Sequence, residues 1–138
     1  MLTNAKEPTM SNPASVLLRR ALAADAIVSA ATGLAMLFGA APLAELLRLP
    51  EGLLRFGGLA LLPYVAFVAY AVKHPSRAAV WTIIGCNVAW AAGCALLLVS
   101  GWIAPNALGV AFVVVQAAAV LLFAELQVMG LRRPVAAV

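Results

Sequence analysis

The side chains able to do chemistry are few, and they sit inside apolar runs: Asp25, Asn87, Gln116 and Glu125. Asp25 heads a helical face with Ser29, Thr32 and Met36, at spacings of four, seven and eleven. Asn87 shares a face with Trp90 and Cys94, at three and seven. Gln116 and Glu125 are nine apart, which is about 900° at 100° per residue, so they point to opposite sides of one helix. A charge near the centre of a bilayer costs at least about 2.5–3.5 kcal/mol on insertion scales. Such residues face other helices and find partners, or they act. The expected role is structural: Asp25 pairs with Asn87 as interhelical glue, or reaches an arginine or water at the interface. The competing role is a protonatable site, with Asp25 and Glu125 coupled to the movement of protons or substrate.

Other chemistry is largely excluded. There is no Ser/His/Asp set, no HExxH, no P-loop and no GxGxxG. Cys86 and Cys94 are eight residues apart, about 12 Å along a helix axis, too far for a bond within one helix. The single histidine, His74, has no cysteine or histidine cluster around it. No catalytic residue, cofactor site or metal site is expected.

The elements that position these side chains follow from composition. The chain has 138 residues, 65% hydrophobic and 10% charged, against roughly 45–50% and 25% in a soluble domain. A soluble fold of this length has too little interior for that apolar content. A disordered chain, a nucleic-acid module and an ordinary soluble enzyme are excluded. Four apolar runs remain, at about 16–41, 53–72, 78–100 and 107–130. Each is long enough to span a bilayer. None alternates as a barrel strand does. The expectation is an all-α integral membrane protein, a four-helix transmembrane bundle forming one domain over 16–133. Residues 1–15 read as a disordered cytoplasmic tail and 134–138 as a short C-terminal tail. Arg19-Arg20 faintly resembles a twin-arginine signal, but three further spans follow.

Between the first two helices, residues 42–52 form a short amphipathic segment expected at the interface. Leu43, Leu46 and Leu47 share a face, and Glu45 and Arg48 are spaced as an ion pair. Pro63 lies inside the second run, where it removes a hydrogen bond to the Leu59 carbonyl, so a kink is expected there. Gly85, Ala89 and Gly93 repeat at four, as a packing ridge inside the bundle would, with a homodimer seam as the alternative. Asp25 and Asn87 each precede a glycine, Gly39 or Gly101, by 14 residues. They are therefore expected at similar depth, roughly 21 Å from that boundary.

Of the nine Lys and Arg residues, seven (Lys6, Arg19, Arg20, Lys73, Arg77, Arg132, Arg133) fall on one side of such a bundle. Only Arg48 and Arg55 fall on the other. The positive-inside rule places both termini in the cytoplasm. The net charge of +4 is accounted for by this placement, and no nucleic-acid partner is expected. Tyr70, Trp81 and Trp102 stand at the expected headgroup levels. Trp90 is near mid-span, where its indole N–H needs an internal acceptor.

In general pattern the chain resembles the small four-helix inner-membrane proteins of bacteria that carry no assigned activity. The leading expectation is a non-enzymatic accessory or oligomeric component acting through helix packing, with the lipid bilayer and a homo-oligomer or larger membrane complex as partners. The alternative is a proton-linked small-molecule transporter or channel-like homodimer using Asp25 and Glu125. It would resemble the small multidrug transporters, from which the chain departs in length, in charge bias and in having aspartate for glutamate. A membrane-embedded enzyme acting on a lipid or quinone is a further alternative.

Overall fold

The computed structural model describes residues 13–132, which form an all-helical bundle with no strand among them. The two tails, apart from residues 13–15, lie outside the described residues. Five helices follow in order: α1 Pro13–Phe38, α2 Ala40–Leu47, α3 Glu51–Lys73, α4 Arg77–Ser100 and α5 Ala107–Arg132. All but α2 are long and apolar enough to cross a membrane.

Local chemistry explains the breaks. Pro42 crowds the carbonyl four residues earlier, and the first helix ends there, at Phe38, rather than at Pro42 itself. Gly39 forms the joint, and α2 continues from Ala40. Arg48 closes α2 in the left-handed region at φ 57°, with its N–H on the Ala44 carbonyl. The ion pair foreseen at Glu45–Arg48 is therefore absent. The described residues instead pair Arg55 with Glu51, one turn apart at the start of α3. Ser76 caps α4, its hydroxyl accepting from the Ala79 N–H at 3.1 Å. Gly101 ends that helix at φ 84°, a conformation that suits a residue without Cβ. α3 runs unbroken through Pro63 from Glu51 to Lys73.

The four long helices alternate in direction. α1 packs against α3 on one side and α5 on the other, and α5 packs against α4. The closest crossing is between α1 and α3. A Cβ built on Gly58 would lie 2.6 Å from the Gly33 carbonyl oxygen and 2.7 Å from the Leu37 nitrogen. α3 and α4 are adjacent in sequence yet barely touch.

Two cores result. Near the end carrying both termini, Leu18, Leu22, Val68, Ala71, Val80, Ile83, Ile84 and Ala124 pack together, drawn from all four long helices. Near the other end, Met36, Ala40, Leu47, Leu49, Leu54, Leu61 and Val113 pack together, and none of these belongs to α4. There α2 lies across α3 and α5. Asn106 fastens it, donating its side-chain amide to the Leu46 carbonyl at 2.8 Å while its oxygen caps the Gly109 N–H at 2.8 Å. A Cβ on Gly109 would run into the Leu47 carbonyl oxygen, so this approach needs glycine.

Candidate functional site: a buried carboxylate at the floor of a groove

Helix geometry brings three polar residues to one level. Asp25 is nine residues from Val16, Tyr64 nine from Lys73, and Asn87 ten from Arg77, each roughly 14–15 Å along its helix from the same end. Gln127 reaches them from α5. Asp25 is 0% exposed and so is Gln127, with Asn87 at 2%.

The Asp25 carboxylate is the hub. Oδ1 accepts from the Ser29 hydroxyl at 3.0 Å, one turn along α1. Oδ2 accepts from the Tyr64 hydroxyl at 2.8 Å, the Asn87 amide at 2.9 Å and the Gln127 amide at 2.8 Å. Asn87 Nδ2 also donates to Gln127 Oε1 at 3.3 Å. Every long helix thus contributes one partner. No described cation pairs with Asp25: Arg20 is exposed, and the Nε of neighbouring Arg19 has no partner. A buried polar group is tolerated when it is hydrogen-bonded, and the four donors here satisfy that requirement for the Asp25 side chain.

The polar residues nominated by sequence separate into two groups. Asp25 and Asn87 meet directly. Gln116 lies further along α5, where its Oε1 accepts from Trp90 Nε1 at 3.1 Å and supplies the acceptor that the mid-span indole needs. Glu125 is exposed and joins nothing, because it lies on the side of α5 opposite Gln116. Tyr64 and Gln127 were missed. Gln127 is eleven residues from Gln116, about three full turns, so the face that holds one holds the other. Tyr64 falls in register with the buried positions Leu54, Gly58, Leu61, Val68 and Ala71 of α3.

The expected ridge also needs correction. Gly85, Ala89 and Gly93 are exposed, and nothing lies within 4 Å of a Cβ built on either glycine. The stripe does not pack inside the bundle, because α3, the helix it would meet, leans away. The close backbone approaches are at Gly33–Gly58, Gly109 and Gly130 instead.

That lean opens a groove of about 540 Å³ between α3 and α4. Its walls include Phe56 and Ala60 from α3 and Trp90 and Gly93 from α4, and it reaches Tyr64 and Asn87. No lysine or arginine lines it. Its apolar walls and few converging polar groups are the usual make-up of a small-molecule pocket, whose volumes run roughly 300–1,000 Å³. Among the described residues no group of His, Cys, Asp and Glu is placed to hold a metal ion.

Comparison of the chain with protein-family models, with curated proteins and with solved structures returns no match.

Proposed function

We propose that this is a multi-pass protein of a bacterial inner membrane, with both termini in the cytoplasm, that acts through helix packing as a non-enzymatic accessory or oligomeric component. One observation carries the reading: Asp25 is wholly buried and its two oxygens accept from four neutral donors on four helices. A carboxylate so occupied joins all four long helices, and only Oδ1, with the single Ser29 donor, keeps an acceptor site free. The setting supports a membrane. Ile27, Leu96, Val99, Val115 and Leu122 are exposed along the helices, and such surface suits lipid or a partner helix. Exposed Tyr70 and Trp81 stand near one end and Trp102 at the other, where amphipathic rings favour the headgroups.

A second reading, a proton-linked transporter working as a homodimer, is favoured by the groove, because Tyr64 connects it to Asp25. Three measurements decide. Reporter fusions after Pro75 should read cytoplasmic and those after Pro105 external; the reverse defeats the orientation. Purification in mild detergent should recover an oligomer or a stoichiometric membrane partner. A homodimer in proteoliposomes that dissipates a pH gradient as wild type, but not as Asp25→Asn, would instead establish the transporter.

A further inference from the structure

We propose that the groove between α3 and α4 is a binding site for a neutral lipophilic alcohol, whose hydroxyl donates to the side-chain oxygen of Asn87. This rests on the bundle lying in a membrane, where such a compound reaches the groove from lipid.

The assignment comes from counting protons at the groove's floor. The Tyr64 hydroxyl has one proton and two acceptors in reach, Asp25 Oδ2 at 2.8 Å and Asn87 Oδ1 at 3.0 Å. Asp25 Oδ2 is the nearer of the two, so the proton goes to Asp25. Both protons of Asn87 Nδ2 are committed, to Asp25 and to Gln127. Turning the Asn87 amide over would set its oxygen against the carboxylate. Asn87 Oδ1 is thus a buried acceptor with no proton of its own, on a residue 2% exposed that lines the groove. No other described side chain donates to it.

The missing partner is therefore a donor arriving through the groove. The apolar walls require an apolar body. A phosphate or carboxylate head is disfavoured, since Asp25 lies directly behind Tyr64 and no cation lines the groove. An ammonium head is drawn by Asp25 but cannot reach it, because Tyr64 and Asn87 stand between the groove and the carboxylate, so it would lose its hydration without forming an ion pair. A hydroxyl fits without either cost.

The protein carries its own reporter. Of the three tryptophans only Trp90 lines the groove, so Trp81→Phe with Trp102→Phe leaves a single fluorophore at the site. This protein, in detergent, is titrated with farnesol, farnesyl methyl ether, farnesylamine and farnesyl phosphate. Farnesol should give a saturable change in Trp90 emission, with an apparent affinity about tenfold or more above that of the ether, which lacks the donor. The phosphate and the amine should bind more weakly than the alcohol. Gly93→Leu, at a position with open space around it, should abolish the farnesol response and leave the melting temperature unchanged or raised. Equal affinity for alcohol and ether, tighter binding of the amine, an unaffected Gly93→Leu variant, or no saturable response to farnesol would each overturn the proposal. Release of the chain from membranes by alkaline carbonate would instead defeat the membrane reading itself.

Discussion

The two ends of the bundle solve the same packing problem differently. At the end bearing the termini, α4 contributes Val80, Ile83 and Ile84 to the shared core, and every long helix is held. At the other end α4 contributes only partly buried Trp90, Cys94 and Leu98, while α2 and Leu49 complete the core around α1, α3 and α5. The polar hub marks the level at which the two arrangements meet. Close packing below it and a cleft above it show that burial is not spread evenly. The chain closes one half by apolar contact, and a few hydrogen bonds lie where the helices part.

The largest test of that contrast is removal of the hub. Asp25→Leu strands Ser29, Asn87 and Gln127, each an unsatisfied buried group at about 1–3 kcal/mol. Thermal melting in detergent should show a severe loss of stability or no folded protein at all. Asp25→Asn should be far milder, because its oxygen can take the place of Oδ2 while the Ser29 hydroxyl turns to accept from the new amide. Similar losses for the two variants would mean that the charge, not the hydrogen bonding, holds the bundle.

A smaller effect separates the two kinds of glycine. Gly58→Ala forces a methyl group against the backbone of α1 and should cost about 1–3 kcal/mol, as overpacking does. Gly93→Ala, in open space, should be neutral or stabilise by up to about 1 kcal/mol through helix propensity. Equal melting temperatures for the two would show that the crossing at Gly33 relaxes freely.

The smallest effect expected is at the clasp. Asn106→Ala removes a helix cap and the tie to α2, for about 0.5–2 kcal/mol. Hydrogen exchange should speed at the amides of α2 and the first turn of α5, with little change around Asp25. Loss of protection throughout would mean that the two ends are not independent.

Much of this architecture was readable beforehand, and the failures have physical causes. The four long helices follow from apolar run length, and the similar depth of Asp25 and Asn87 from counting along two runs. Glu125 drew attention because it is charged, whereas the side of the helix decides partnership; the neutral Gln127, three turns from Gln116, is on the right side. The Gly85–Gly93 stripe was expected to pack inside the bundle, but a run of small residues does not say what lies opposite. That depends on how far α3 and α4 diverge, which is set by α2 and by the Gly33–Gly58 crossing and leaves no trace in the spacing within α4.

The hub also imposes an order on biogenesis. Its members are made as Asp25, Ser29, Tyr64, Asn87 and finally Gln127, which lies in the last helix. A nascent chain that has released only α1 offers the carboxylate one internal partner, and each later long helix adds one more. The acidic side chain therefore stays incompletely satisfied until synthesis nears its end, when α5 delivers the last amide. A residue that holds the finished bundle together thus leaves every shorter version of the chain with an acidic group short of partners.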